Sequence, residues 1–184
     1  SPNIASIRTN MATTFQNLRQ FEDAVTEASK AVELNPNDAE AWYRLWSAKG
    51  TGTDAVEITK ALTISPYLPI ANLSLGNAFS KDKNYDKAVE YYKRALIGND
   101  EYELAHVNLG RVYIMQKNYD DAIASLKRTL EIKANYAFAW ERLGYAYEMQ
   151  GNALKKANDQ AGATAKYNES LTAYKRAVDI NPKD

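Results

Sequence analysis

The chain has 184 residues, with Lys+Arg and Asp+Glu both at 23, so its formal net charge is zero; the basic excess that drives phosphate binding is missing, which sets nucleic acid aside as a partner. It has no cysteine, which removes disulfides, thiolate metal sites and thiol nucleophiles, and no run approaches the ~20 apolar residues that a helical membrane span needs. Hydrophobic residues at 45% and charged residues at 25% are an ordinary balance for a folded chain, long enough for one compact domain or a short repeat array.

Internal repetition organises the chain. Residues 5–38 make the first predicted repeat, irregular in its first half but with Ala24, Ala31 and Pro36 spaced as in later copies. The second, 39–68, is four residues short, since Ala31 to Ala61 and Pro36 to Pro66 both span 30 residues. It carries Trp42, then Trp46 where later copies have Gly, then a Gly-rich connection from Lys49 to Thr53. Asp54 and Glu57 stand at N-cap and N3 spacing, so its second helix is predicted to begin at Asp54. That start leaves the helix without its first turn, and Trp46 is expected to fill the vacated volume.

Repeats three (69–102) and four (103–136) keep a 34-residue step that continues into the fifth (137–184). Leu75-Gly76, Leu109-Gly110 and Leu143-Gly144 recur at 34, as do Phe79, Tyr113 and Tyr147, Tyr85 and Tyr119, and Ala88 and Ala122. The fifth repeat holds 14 extra residues. Leu143, Tyr147, Gln150, Leu154 and Ala157 step by four and three, and so do Ala163, Tyr167, Ser170, Tyr174 and Ala177. These are helix-face spacings, so the insertion is predicted to lengthen each helix by seven residues, projecting the hairpin by about 10 Å. Asn35-Pro36, Ser65-Pro66 and Asn181-Pro182 end second helices, because the residue before Pro avoids helical angles.

This register, with the stretches WERLGYAY, NYDKAVEYYKRAL and NYDDAIASLKRTL, resembles the tetratricopeptide-repeat family along the whole chain. The resemblance implies an all-α fold, a right-handed α-solenoid of antiparallel helix pairs, as one domain over residues 1–184. In that fold Gly76, Gly110 and Gly144 are small so that each second helix can approach, at Ala88 and Ala122. Trp42 and Trp140 fill the space between neighbours, and stacking supplies a continuous core that no pair could bury alone. His106, the only histidine, takes the position usually held by Trp and is expected to be a packed core residue.

The resemblance also implies function: a non-catalytic protein–protein interaction scaffold, without cofactor or metal, that takes a peptide or partner protein on a concave face lined by first helices. The lining positions read Asn10, Arg44, Ser74, Asn108 and Arg142 at the sixth place of each repeat. At the ninth they read Thr13, Ser47, Asn77, Arg111 and Tyr145. Second and fifth places in the last three repeats read Ile70, Leu73, Leu104, Val107, Phe138 and Glu141. Asn can grip a peptide backbone as donor and acceptor, Arg can fork onto a carboxylate, and Leu73, Val107 and Phe138 are expected to form an apolar strip. Asn77, Asn108 and Arg142 match the clamp that some family members close on a chaperone's C-terminal carboxylate. Leu73 and Phe138 stand where that clamp has Lys, which argues against an acidic chaperone tail.

No catalytic motif appears: no phosphate loop, HExxH or GxSxG. The Asp120-Asp121 and Asp82–Asp86 pairs lack the Gly and closing Glu of a calcium loop. Two alternatives to a free-standing scaffold are a substrate-recognition module of a larger enzyme, which a start at Ser1 rather than Met also suits, and a scaffold that self-assembles. The second rests on the solenoid ends. After Asn181-Pro182-Lys183-Asp184 no polar helix caps the stack, so that exposed end could pair with a second copy, as a homo-oligomer through exposed ends, or with a continuation of the chain.

Overall fold

Apolar residues stepping by three and four, interrupted by short turn segments, produce helices throughout. The computed structural model describes residues 2–182; Ser1 and the end formed by Lys183 and Asp184 lie outside the described residues. Among the described residues the regular structure is ten helices: α1 (Pro2–Asn17), α2 (Phe21–Leu34), α3 (Ala39–Lys49), α4 (Val56–Ile64), α5 (Pro69–Lys81), α6 (Tyr85–Gly98), α7 (Glu103–Met115), α8 (Tyr119–Ile132), α9 (Ala137–Lys156) and α10 (Gln160–Ile180). They fall into two compact units, Ser1–Leu75 and Gly76–Asp184, the division lying within α5.

In the first unit α1 packs on α2, α2 on α3 and α3 on α4. The core is made of small side chains, Ala12, Ala28, Ala31, Val32, Ala41 and Leu45, with Val25 and Trp42 laid against it. α3 starts where Asp38 caps the free N–H groups of Glu40 and Ala41, at 2.9 and 3.2 Å. It ends at Gly50, whose φ of 63° is left-handed, a conformation that costs glycine nothing.

α4 begins at Val56, with Ala55 as its N-cap and no side-chain cap. The predicted cap at Asp54 is therefore corrected: Asp54 lies in the connecting turn, and Glu57 is drawn back to Lys49 at 2.6 Å instead of closing a capping box. Trp46 is buried as expected. Its indole N–H donates to the Gly52 carbonyl at 2.9 Å, so the ring both fills the space beside the short α4 and ties down the Gly-rich connection.

In the second unit α6 packs on α7, α7 on α8, α8 on α9 and α9 on α10. α9 has 20 residues and α10 has 21, against 13 and 14 in α7 and α8. Each is thus seven longer, as the insertion predicts. Glycine sets the approach of paired helices: the nearest side chain lies one turn beyond the expected alanine, and at Gly110 the Ala122 carbonyl is also met, at 3.3 Å. A Cβ on Gly76 would lie 2.5 Å from the Tyr92 ring, one on Gly110 2.7 Å from Leu126, and one on Gly144 2.8 Å from the Tyr174 ring. Gly151 meets the Tyr167 ring in the same way, at 2.8 Å.

Two local devices recur that spacing alone did not reveal. Arg19, Lys83, Lys117 and Asn158 all hold φ near 60°. Each closes a first helix, and the next residue's N–H returns to a carbonyl five back: Gln20 to Phe15, Asn84 to Phe79, Asn118 to Tyr113 and Asp159 to Leu154, all at 2.8–3.0 Å. The second device is a latch across the turn into a first helix. Trp42, Asn72, His106 and Trp140 each hydrogen-bond a carbonyl six residues upstream, at Pro36, Pro66, Asp100 and Ala134. His106 is consequently half-buried on α7 with its ring over the preceding turn, not a core residue. Its Nε2, 2.9 Å from the Asp100 carbonyl, replaces the indole N–H of Trp.

Candidate partner-binding face

The predicted lining residues fall in both units. In the first unit Asn10 is exposed on α1. Arg44, on α3, pairs with Glu40 at 2.9 Å and lies 5.2 Å over the Tyr43 ring. The Ser74 hydroxyl sits 2.9 Å from the Tyr43 hydroxyl. Leu73 is buried, so it supplies packing and no exposed apolar contact.

The second unit joins its candidates into one array. Asn77, on α5, accepts from the Tyr92 hydroxyl and from the Asn108 amide, both at 2.8 Å. Two donors converging on Asn77 Oδ1 fix that side chain's orientation and leave its own NH₂ as the group to offer. Asn108 Oδ1 in turn lies 3.5 Å from Arg111 Nη1, a weak contact that leaves the guanidinium free to engage elsewhere. The Arg111 and Arg142 guanidinium carbons lie 6.0 and 4.8 Å from the Phe138 ring centre, within cation–π reach. Arg142 also pairs with the exposed Glu141 at 3.2 Å, and Tyr145 stands exposed on the same helix.

Val107 departs from the expected strip. It is fully buried, and Leu73 is buried too, because the fifth place of repeats three and four points into the interior, whereas Glu141 at the fifth place of repeat five is exposed. Of the apolar residues expected at the second and fifth places, Leu73 and Val107 are buried, Leu104 is 40% exposed, and Ile70 and Phe138 are half-buried. The face is therefore less apolar than its sequence positions suggested.

Tyr92, absent from the sequence-derived set, orients Asn77. Burial pushes its phenol up to about 12, so it stays protonated and donates. Tyr174 plays a similar part, donating to Glu148 at 3.1 Å. Burial first, then the hydrogen bond to Glu148, raises it to about 12. Both tyrosines were visible as repeat positions, but only the fold shows them crossing a glycine to reach the partner helix. Beside α8, α9 and α10 lies a separate concavity of about 580 Å³, with Leu130, Trp140, Leu143 and Ala173 in its lining and Lys127, Glu131 and Glu169 among its charged residues. Among the described residues no group of three or more His, Cys, Asp or Glu could hold a metal ion, and no helix is long and apolar enough to cross a membrane.

Two family models described as tetratricopeptide repeat match the chain, one over residues 80–144 and one over residues 9–45. The chain is a tetratricopeptide-repeat protein. A sequence search of curated proteins returns no match. Among solved structures, this tetratricopeptide-repeat protein is similar to MamA, with a TM-score of 0.72 at 22% identity over 100% of this chain and 94% of that one. It is also similar to YrrB, described as a TPR protein with an unusual peptide-binding site, with a TM-score of 0.67 at 21% identity over 96% and 86%. PilF of Pseudomonas aeruginosa gives a TM-score of 0.70 at 18% identity over 97% and 84%. At these identities the likeness is one of fold: all-helical tetratricopeptide repeats.

Proposed function

We propose that this protein is a non-catalytic interaction scaffold that takes an extended segment of a partner protein on its first-helix face, at Asn77, Asn108, Arg111, Phe138 and Arg142. The observation that carries the reading is the single array these residues form across α5, α7 and α9, with Asn77 held in one orientation by two donors. An amide that presents N–H grips a peptide carbonyl without reading its side chain. Two guanidinium groups flanking Phe138 suit a carboxylate next to an apolar or aromatic side chain. We take the five repeats, 5–38, 39–68, 69–102, 103–136 and 137–184, as one binding domain, with Asn10, Arg44 and Ser74 as its candidates in the first unit. No covalent step and no cofactor enters the proposal.

The test is a peptide selected from a display library on the intact protein. Asn108→Ala combined with Arg142→Ala should weaken binding tenfold or more, since a hydrogen bond to a charged group is worth ~1.5–3 kcal/mol. Helix content should not change, because neither residue belongs to the core. Unaltered affinity in the double variant, with binding lost instead on trimming the hairpin between Leu154 and Tyr167, would move the site to the hairpin.

A further inference from the structure

We propose that the long hairpin carries a docking site of its own at its root, where a cleft between α9 and the α7–α8 turn takes an acidic segment of a partner protein. The site is separate from the Asn–Arg face and stands or falls independently of it.

The cleft is a product of the insertion. In repeat four the Gln116 amide donates to Asp86 in the first turn of α6, at 2.7 Å. One residue later Lys117 turns the chain away in a left-handed conformation. Repeat five has the same strap, Gln150 donating to Asp120 in the first turn of α8 at 2.6 Å, but there the chain does not turn. Gly151, 34 residues after Lys117, continues α9 to Lys156, about 9 Å beyond the strap. The added turns run past Lys117 and Tyr119. Between the two elements lies a cleft of about 720 Å³, lined by Lys117, Tyr119, Met149, Asn152, Lys155 and Lys156. α7 stops at Met115 and offers no such extension to the turn before α6.

The charge of the cleft is one-sided. Lys117, Lys155 and Lys156 are exposed, and none of them enters the ion pairs among the described residues. The acidic groups nearest in sequence are already engaged: Asp120 by Gln150, Asp121 by the Asn118 amide at 2.6 Å, and Asp159 by the Gly162 N–H at 2.8 Å. Each lysine taken alone has a helix-end explanation. Lys117 is a left-handed cap like Lys83, and Lys155 and Lys156 complement the negative end of the α9 dipole. Those roles do not require all three to line one cleft, yet a chain of zero net charge gathers them there.

Between the cations the walls are apolar, with the Tyr119 ring and the Met149 thioether both half-buried. Methionine adapts to side chains of varied shape. Asn152 Oδ1 accepts from the Tyr167 hydroxyl at 2.9 Å, which leaves its amide N–H groups to donate to a backbone carbonyl. Cations spread over two elements, with apolar ground between them, fit carboxylate side chains alternating with apolar ones better than one compact anion. A membrane surface is disfavoured. Binding to one needs an exposed apolar face, and no large apolar side chain from Ala146 to Ser170 is exposed.

Fluorescence anisotropy tests this on the full chain, with a labelled peptide of alternating Glu and Leu and a Lys–Leu peptide as control. Only the acidic peptide should bind, and more weakly as added salt shortens the screening length. Lys155→Gln with Lys156→Gln should weaken it about tenfold and Lys117→Gly about threefold, the range of exposed ion pairs. Lys117→Gly is also expected to raise the melting temperature, so its loss of binding cannot be attributed to unfolding. Lys175→Gln with Arg176→Gln removes as much charge toward the other end of α10 and should leave affinity unchanged. All variants are read again in the Asn108→Ala, Arg142→Ala background, where the first-helix face is disabled and the lysine effects should persist. The proposal is overturned if the acidic peptide does not bind, if the lysine variants bind it as the unaltered protein does, or if the Lys175–Arg176 variant loses as much. Lysine effects that vanish in the Asn108–Arg142 background overturn it too, and give the peptide to the first-helix face. Phosphatidylserine vesicles that bind through the same lysines, with no binding of the peptide, overturn it in favour of a lipid surface.

Discussion

Tyr92 shows how one side chain can serve packing and recognition together. Its ring lies so close to Gly76 that a Cβ there would sit 2.5 Å away, and its hydroxyl orients Asn77. Gly76→Ala should cost ~1–3 kcal/mol by overpacking and should also weaken peptide binding, because displacing the ring releases Asn77. Tyr92→Phe separates the two roles. It keeps the ring, loses ~1 kcal/mol of hydrogen bonding, and reduces affinity without the larger loss of stability. Isothermal calorimetry with parallel denaturant titration reads both. The same phenol predicts an alkaline limit. Its folded pKa of about 12 lies above the ordinary 10.0, so above pH 10 the unfolded chain releases a proton that the native state keeps. The stability Tyr92 contributes is full below pH 10 and declines between 10 and 12. Denaturation midpoints followed across that range should fall less steeply in Tyr92→Phe than in the unaltered protein.

At the level of the helices and their turns, the left-handed residues are the accessible lever. Lys83 and Lys117 hold φ near 60° without the freedom that glycine has there. Lys117→Gly should therefore stabilise by roughly 0.5–1 kcal/mol despite the entropy glycine adds to the unfolded chain, raising the melting temperature. The short second helix of repeat two supplies the opposite case. Trp46→Gly removes a buried ring and the tie to Gly52, and should cost ~3–5 kcal/mol. An unchanged melting temperature would deny Trp46 its place in the core. The existence of these helices was legible because periodicity and a 34-residue step need only one sequence. What Asp54 does was not: cap spacing is a local signal, and the pull of Lys49 on Glu57 depends on how α3 and α4 meet. Nor was the Tyr92 ring over Gly76, because the crossing of two helices decides which turn lies over a glycine.

For the molecule as a whole, repeats that pack on their neighbours predict nearly additive energetics. Trp46→Gly lies in the first unit and Gly110→Val in the second, so their costs should sum to within about 0.5 kcal/mol. A double variant much less or much more stable than that sum would reveal coupling along the array. The candidate face was legible as a set of positions and misread in its chemistry. Sixth and ninth places did carry the polar residues expected, whereas the fifth-place Leu73 and Val107 turned inward. Position within a repeat fixes direction only to within a helix turn, and an apolar residue at the margin is drawn to the interior because burial is worth ~25 cal/mol per Å².

The pairing of Gly144 with Tyr174 and of Gly151 with Tyr167 means that the long hairpin comes in quantised lengths. Moving outward by seven residues on α9 and seven on α10 places the second Gly–Tyr pair over the first, since seven residues are nearly two turns and return to the same face. Three or four residues per helix would swing the glycine away from the tyrosine and set backbone against side chain. The arm can thus grow or shrink in increments of fourteen residues, about 10.5 Å of reach each, and any length between would have to invent a new seam. A chain gaining reach by this route changes how far it extends without renegotiating how its helices meet.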